Sequence, residues 1–326
     1  MTFELNLIHW LQSFSNGFFD TMFQFFTMFG EELVIIAALG FLYWCHDKKV
    51  GEYVGVTVFV SLFLNSAIKT IVQRARPYVQ DPYVEATGAG VRNIRPDTAG
   101  GYSFPSGHTQ GAATVFSSLS FWLRKRWLTI ATAVIIFVVA LSRMYLGAHY
   151  LTDVLVGAGL GILLAYVFHR FFTKHADQAR KLYVYIAAIG AIVASTVLVY
   201  HVLTIEATAL LTNAENLYDK MKDSFTMVGA MIGFVFGIRF EAKKVQFTNH
   251  HVLWKNAIRF LGGVAVVMGI RLGLKAIFGL IVDGEELAEG EIALAILAVL
   301  FDGLRYFVMV FIGIGAYPYV FRKWNL

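Results

Sequence analysis

The chain has 326 residues, of which 57% are hydrophobic and only 15% are charged, and its mean hydropathy is +0.62. An ordinary soluble domain is about 45–50% apolar and about 25% charged, so this composition excludes disordered, fibrous and nucleic-acid-binding chains and disfavours a soluble enzyme. The net charge of +5 comes from basic residues that lie between apolar runs, which is typical of membrane topology. The single cysteine, Cys45, excludes a disulfide framework and a cysteine metal site.

Apolar stretches long enough to cross a bilayer recur along the chain. A membrane helix needs roughly 20 predominantly apolar residues, and the start of the chain lacks the basic region of a cleavable signal peptide. Residues 4–29 are ambiguous, because an amphipathic segment precedes a short apolar helix interrupted by Asp20. The sequence predicts an all-α integral membrane protein with nine or ten spans. The clear ones lie near residues 32–46, 53–73, 107–123, 128–146, 151–171, 182–203, 224–240, 259–281 and 292–320.

Loop charges predict the orientation of these spans. If every span crosses once, the basic segments 46–52, 124–127, 169–181, 239–259 and the tail share one side, and the acidic segment 283–291 lies on the other. The excess of Lys and Arg marks the cytoplasmic side. The segment 74–106 is then extracytoplasmic and still carries Arg74, Arg76, Arg92 and Arg95. A long loop can cross despite its charge, but anion binding is the other reason for arginines there.

The first segment with a chemical signal runs from Lys69 to Pro77. Lys69 and Arg76 are separated by two helical turns, so we expect them on one helix face. Pro77 favours an extended Arg76 and ends the helix. Arginine binds phosphate through two parallel hydrogen bonds and lysine supplies a point charge. Alone, the pair is equally typical of cations that anchor a span in the interface.

The second segment opens an apolar helix with Ser106, Gly107 and His108. Backbone N–H groups at a helix start form a phosphate cradle, and Gly107 permits close approach. Ser106 is suited to cap the helix and to donate to a phosphate oxygen. His108 stands at the mouth of the cradle with a side chain fit for proton transfer. A capped helix with an interfacial histidine is the structural alternative.

The third segment holds Arg143, His149 and Asp153. His149 and Asp153 are four residues apart and would be neighbours on a helix. A carboxylate beside a histidine orients the ring and leaves the other nitrogen free as a nucleophile or base. The alternative is a structural pair near the interface. All three segments reach the same side under the predicted topology, and no carboxylate, His or Cys cluster with metal-ligand spacing accompanies them, so no metal is implied.

The order K-x6-R-P, P-S-G-H and S-R-x-x-x-G-x-H-x-x-x-D resembles the three-part signature of the type 2 phosphatidic acid phosphatase superfamily. The resemblance covers about residues 15–172 and implies a six-helix phosphatase core. We therefore expect two parts: a lipid-phosphatase core over residues 1–175, and about four further transmembrane helices over residues 176–326 whose role the resemblance does not address.

The resemblance also implies a role for each motif residue and a metal-independent phosphatase without cofactors. Lys69, Arg76 and Arg143 would hold phosphate oxygens with the help of Ser106 and Gly107. His149 would attack phosphorus and form a phosphohistidine, Asp153 would orient it, and His108 would protonate the leaving oxygen and then activate water.

The membrane setting narrows the expected partners to lipids, with no nucleic acid. Undecaprenyl pyrophosphate, phosphatidic acid and phosphatidylglycerol phosphate are the leading substrate classes. We expect the bacterial cytoplasmic membrane, with the active site on its outer face. Two alternatives remain open at this stage: a lipid phosphotransferase that uses the same intermediate, and a headgroup-binding transporter suggested by the charges Arg271 and Asp302 within spans.

Overall fold

The computed structural model describes residues 2–84, 87–207, 214–250, 252–284, 286–287, 291–324 and 326, so part of the acidic segment 283–291 and His251 lie outside it. Regular structure in these residues is helical, apart from two isolated β-bridges in the segment after α5. The helices are α1 Thr2–Gln12, α2 Gly17–Thr27, α3 Glu32–Phe41, α4 Lys48–Val72, α5 Pro77–Gln80, α6 Gly107–Leu123, α7 Arg126–Tyr145, α8 Leu151–Lys174, α9 Ala176–Ala207, α10 Ala214–Phe240, α11 Leu253–Gly279, α12 Ile292–Phe311 and α13 Tyr319–Lys323.

Seven helical segments of the described residues are long and apolar enough to cross a bilayer. They begin in α4, α7, α8, α9, α10, α11 and α12. The segments Gly17–Gly30 and Glu32–His46 pass the same test only together, with a bend of 49° between them. Helix α6 has 17 residues and is the longest of the remaining helices. The all-α membrane class is confirmed, whereas the expected nine or ten spans exceed the seven or eight that these lengths support.

The chain divides into two compact units. The first contains Met1–Ala38 and Leu64–Thr173, and the second contains Leu39–Phe63 and Lys174–Leu326. Residues 39–63, which the sequence-based division assigns to the first part, therefore belong to the second unit. The physical reason lies in α4, because its N-terminal half packs in the second unit, where the ring of Phe59 is 5.3 Å from that of Phe234. The assignment of a separate role to residues 176–326 stays a prediction.

The first unit is built around a buried apolar cluster that joins α1, α2, α7 and α8. Ile8 of α1 and Phe23 of α2 pack there with Tyr145, Tyr150 and Val154. Local sequence explains where the helices begin. Asn16 caps α2 by accepting hydrogen bonds from the backbone N–H groups of Phe18 and Phe19 at 3.1 Å each.

Helices α6 and α8 approach each other through glycines. A Cβ atom at Gly157 would lie 2.7 Å from the Ser106 carbonyl oxygen, and one at Gly161 would lie 2.6 Å from that of Gln110. Real Cβ atoms do not come so close, so only glycine fits at these two positions, which are four residues apart as in the small-residue contacts of membrane helices. The contact brings the helix starts together, since the Ser106 N–H donates to the Asp153 carbonyl oxygen at 3.0 Å.

The second unit is dominated by the pair α10 and α12. Leu217 and Met221 of α10 pack on Ala295 and Val299 of α12. Three five-residue π-helical turns occur in this unit, Leu42–His46, Glu241–Val245 and Ile312–Ala316. Two of them are joined directly, because the Trp44 Nε1–H donates to the Gly313 carbonyl oxygen at 2.9 Å.

Candidate active site

The end of α4 brings Lys69 to the start of α6. A Cβ atom at Gly107 would lie 3.9 Å from Lys69 Nζ and 3.3 Å from Asn65 Oδ1. Asn65 is buried and fixes this approach, because its amide donates to the Pro105 carbonyl oxygen at 3.2 Å and to Gln110 Oε1 at 2.9 Å. The ammonium group therefore faces the glycine predicted to leave room for a phosphate.

Arg76 lies beside His149. The prediction that Lys69 and Arg76 share one helix face is wrong, because α4 ends at Val72 and Gln73 has a left-handed φ of 51°. Arg76 itself is extended, as Pro77 requires, with φ −74° and ψ 158°. Its guanidinium donates to the carbonyl oxygen of Ala148 at 3.0 Å, and its Nη1 is 3.3 Å from His149 Nε2. The backbone carbonyls of residues 100 and 101 accept its other N–H groups.

Ser106 caps α6, and His108 follows in its first turn. The Ser106 hydroxyl oxygen accepts from the Thr109 N–H at 3.4 Å and lies 3.0 Å from Thr109 Oγ1. The hydroxyl is therefore engaged in the cap. His108 Nε2 is buried and has no hydrogen-bond partner among the residues that the structure describes. A buried polar nitrogen is normally paired, so this one marks a place for a ligand atom.

Arg143 is completely buried. Its Nη1 donates to the hydroxyls of Thr27 at 3.0 Å and Thr98 at 3.1 Å, and its Nη2 donates to the Thr98 carbonyl oxygen at 2.9 Å. Its Nε is buried without a hydrogen-bond partner in the described part of the chain. Two threonines thus fix the guanidinium in place and leave its Nε–H available, as a preorganised anion contact would require.

His149 precedes α8 rather than lying on it, which corrects the expected helical pair. Helix α8 begins at Leu151, and Asp153 in its first turn accepts from the Tyr150 N–H at 2.9 Å. His149 Nδ1 is 3.5 Å from Asp153 Oδ2, which is long for a hydrogen bond. Ser103 fills the gap, because its hydroxyl donates to the same carboxylate oxygen and lies 3.5 Å from His149 Nδ1.

Positive charge accumulates around the two histidines. Burial lowers the pKa of His149, and the charges of Arg76, Arg143 and Lys69 lower it further. The same three cations act on His108. A neutral imidazole has a free lone pair, so His149 stays nucleophilic below the pH at which an ordinary histidine is protonated.

Sequence reasoning missed the residues that hold this machinery. Ser103 and Arg74 both bind Asp153, with Arg74 Nη1 at 2.7 Å from Asp153 Oδ1. Thr27 and Thr98 hold Arg143. The only available signal was position, since Ser103 lies three residues before Ser106 and Arg74 two before Arg76. No residue-level rule assigns them their partners.

The two other arginines of the loop have structural partners. Arg95 pairs with Glu31 at 2.7 Å, and Arg92 donates to the Ser15 hydroxyl at 3.0 Å. In the described residues, no three His, Cys, Asp or Glu side chains are grouped so that they could hold a metal ion. Independence of the reaction from metal stays a prediction.

Comparisons with known proteins identify both parts of the chain. Residues 52–177 match the model of the PAP2 superfamily, and residues 225–326 match that of the PAP2 superfamily phosphatase transmembrane extension. Phosphatidylglycerophosphatase B of Bacillus subtilis is 37% identical over 98 residues, which are 26% of this chain and 48% of that protein. The match therefore spans about half the length of that relative.

Two further proteins are similar over about half of this chain. Undecaprenyl-diphosphatase BcrC of Bacillus subtilis is 29% identical over 176 residues, which are 52% of this chain and 84% of that protein. The crystal structure of Aquifex aeolicus LpxE is 25% identical, with a TM-score of 0.45 over 52% of this chain and 95% of that one. The two family models together with the three motifs lead to one conclusion: the chain carries a PAP2 superfamily domain over residues 52–177 and the transmembrane extension of PAP2 superfamily phosphatases over residues 225–326.

Proposed function

We propose that this protein is an integral membrane phosphatase that removes phosphate from the headgroup of a lipid phosphate or lipid pyrophosphate. The observation that carries the proposal is the convergence of Lys69, Arg76 and Arg143 on two histidines, one of which has an unpartnered buried nitrogen. Cations and oriented donors are what phosphoryl transfer requires, because its transition state carries negative charge on the equatorial oxygens.

In the first step the Nε2 atom of His149 attacks phosphorus. The bond from phosphorus to the leaving oxygen breaks, and His108 donates the proton that this oxygen needs; the negative charge of the bound phosphate favours the protonated form of His108 before this step. Arg76 lies beside the attacking nitrogen, where it can bind the nonbridging oxygens of the phosphoryl group as they become equatorial in the transition state. The product of the step is a lipid alcohol or lipid monophosphate, with phosphate bound to His149.

In the second step water attacks the phosphohistidine. His108, now unprotonated, accepts a proton from that water, and the bond from phosphorus to nitrogen breaks. Inorganic phosphate leaves and both histidines return to their starting states. Lys69, Arg143 and the N–H groups at the start of α6 neutralise the phosphoryl oxygens through both steps.

Phosphate release from purified protein in detergent tests this function. The panel is phosphatidic acid, phosphatidylglycerol phosphate and undecaprenyl pyrophosphate, each assayed with a metal chelator present. We expect release from at least one lipid and a loss of about 10⁴-fold or more in His149→Ala. The matched control is His169→Ala, because His169 is a buried histidine of α8 outside the site. A His149→Ala protein with the wild-type rate would reject the mechanism.

The lipid substrate fits the membrane setting of the chain. The site forms in a unit whose α7 and α8 are long enough to span a bilayer, and we propose that it faces outward in the bacterial cytoplasmic membrane. The charges of the loops support this side. The test is activity in sealed vesicles of opposite orientation with a water-soluble, membrane-impermeant phosphate ester, and activity confined to inside-out vesicles would reverse the assignment.

The alternatives from the sequence have separate readouts. Labelled phosphate that appears on an added lipid or sugar, and not as free phosphate, would make the protein a phosphotransferase. The transporter alternative relied on Arg271 and Asp302 as charges buried within spans. Asp302 instead accepts from Arg305 at 2.7 Å and from the Tyr218 hydroxyl at 2.8 Å. Its charge is therefore offset by a neighbouring cation, which does not favour transport.

A further inference from the structure

Arg74 bridges two carboxylates, one of which belongs to the proposed catalytic pair. Its Nη1 is 2.7 Å from Asp153 Oδ1 and its Nη2 is 2.7 Å from Glu4 Oε2. The guanidinium plane also covers the ring of Tyr150, with 3.8 Å between the Arg74 Cζ atom and the ring centroid. The side chains of Glu4, Arg74 and Asp153 are largely shielded from water, so their charges act on one another more strongly than at an open surface.

Helix α1 delivers Glu4 to this bridge. The second carboxylate oxygen of Glu4 accepts from the Thr152 N–H and from the Thr152 hydroxyl, both at 2.8 Å. These bonds seat Glu4 on the first turn of α8, next to Asp153. The helix cannot drift from this position easily, because Ile8 is buried in the core of the first unit and His9 pairs with Asp81 at 2.7 Å.

The charges of this bridge sum to minus one when Glu4, Arg74 and Asp153 are ionised. Without Glu4, the pair Arg74 and Asp153 would be neutral. Without Arg74, two carboxylates would lie side by side. The other charged or titratable groups that act on His149 and its neighbour Tyr150 are Arg76, Arg143, Lys69, His108 and Asp81.

We propose that Arg74 and Glu4 are positioning residues that act through Asp153: Arg74 orients its carboxylate toward His149, and Glu4 offsets the charge of Arg74 so that a net negative charge remains beside the imidazole. The inference rests on the proposed function. When His149 bonds to phosphorus through Nε2 and keeps its proton on Nδ1, the ring becomes cationic. A neighbouring negative charge stabilises that cation, and an Asp153 fully neutralised by Arg74 would do so less.

Opposite charge changes separate this role from a purely structural one. Glu4→Gln removes a negative charge and disfavours protonation of His149. Arg74→Gln removes a positive charge and favours it. We therefore expect the acidic midpoint of His149 to fall by about half a pH unit in Glu4→Gln and to rise by about one unit in Arg74→Gln. Both variants should lower kcat, by about tenfold, with little change in KM.

The midpoint is measured without any substrate, by hydrogen–deuterium exchange at the imidazole C2 atom of His149 across a pH series of the full-length protein in detergent. The matched control is His9→Gln, which removes another polar side-chain contact of α1, the one to Asp81, with no contact to Asp153, and its midpoint should equal that of the wild type. Arg74→Lys keeps the charge and should restore the wild-type midpoint while recovering only part of kcat.

The inference is supported if the pH midpoint of His149 shifts in opposite directions in Glu4→Gln and Arg74→Gln. Midpoints equal to that of the wild type, or shifts in the same direction, overturn it. A shift in His9→Gln as large as that in Glu4→Gln also overturns it, because loosening of α1 would then be the cause. A wild-type protein that releases no phosphate from any lipid rejects the proposed function, and the exchange midpoints still decide the charge relation.

Discussion

Arg143 in the first unit and Arg259 in the second are both buried almost completely, yet their surroundings differ. Arg259 donates to the carbonyl oxygens of Trp44 at 3.0 Å, Thr248 at 2.9 Å and Leu326 at 2.7 Å. Its guanidinium also lies 4.6 Å from the ring centroid of Phe321. Arg143 is held mainly by threonines, and its strongest charged neighbour is another cation, Arg76.

The difference shows how a structural buried cation can be told from one in a site. In the second unit, charges are offset locally, as Lys48 is by Glu241 at 2.9 Å and Arg305 is by Asp302 at 2.7 Å. In the first unit, several cations act on the same two histidines. Burying like charges together costs free energy unless an anion joins them. This surplus of buried positive charge, more than any single arginine, is the feature that the proposed phosphate site requires.

Exchanging each buried arginine for glutamine should give the largest effects and tests whether the two arginines differ in role. Arg143→Gln should lower kcat/KM by about a hundredfold, because removing one preorganised charged donor commonly costs about 3 kcal/mol. Arg259→Gln should leave the activity of the folded protein unchanged and lower its stability by about 3 kcal/mol, because three buried carbonyl oxygens lose their donor. Phosphate release and thermal unfolding in detergent provide both measurements. If Arg259→Gln is inactive but stable, charge surplus does not distinguish the two regions.

A methyl group at Gly107 tests whether the space in front of Lys69 is where phosphate binds. The new Cβ would lie 3.3 Å from Asn65 Oδ1 and 3.9 Å from Lys69 Nζ, so the Asn65 side chain must shift by a few tenths of an ångström and the cradle becomes narrower. We expect Gly107→Ala to raise KM by about tenfold with a small change in unfolding temperature. Steady-state kinetics on the preferred lipid measure this. The control is Gly159→Ala, because nothing lies within 4 Å of a Cβ there. An equal rise in KM in both variants would contradict a phosphate site in front of Gly107.

The pH dependence of kcat/KM tests whether the buried cations of the first unit act on His149. The neighbouring cations, including Lys69, lower the pKa of His149, so the neutral nucleophile is present below pH 6.5 and is lost only as the pH falls through the lowered value. In Lys69→Gln one cation is gone, and the acidic limb of kcat/KM should move to higher pH by about half a unit. Comparing the variant with the wild type on one substrate cancels the titration of the substrate itself. A limb that moves to lower pH would contradict the assigned electrostatics.

The smallest effect is expected at Asp302. Asp302→Asn keeps the size of the side chain and a hydrogen bond to Tyr218, but it removes the charge that faces Arg305 at 2.7 Å. Activity should remain within twofold of the wild type, and stability should fall by about 1 kcal/mol. Phosphate release together with the unfolding temperature is sufficient. A large loss of activity would mean that Asp302 takes part in the reaction, contrary to the structural role assigned to it.

Much of the fold and the composition of the site could be predicted from the sequence. Long apolar runs identify the spanning helices because the bilayer sets their length. The motif residues Lys69, His108 and His149 lie in one unit, as their order in the family signature implied. Pro77 correctly predicted an extended Arg76, because the ring of proline restricts the residue before it.

The rest depended on contacts between distant segments. Helical spacing wrongly placed Arg76 on α4 and His149 on α8, because a left-handed Gln73 and the cap of α8 intervene. Arg74 meets Glu4 across 70 residues. No periodicity or local propensity encodes such a pairing, since it exists only after α1 has packed on the core. The division of α4 between two units likewise depends on what its ends touch.

The glycine contact between α6 and α8 sets how closely the segments that carry His108 and His149 approach each other. Because Gly157 and Gly161 let backbone meet backbone, no side chain of α8 stands between the two helices at these positions. An alanine at Gly157 would push the first turn of α6 outward and move His108 with it. Two glycines without a functional group thereby become part of what the proposed reaction requires of the chain, alongside the two histidines.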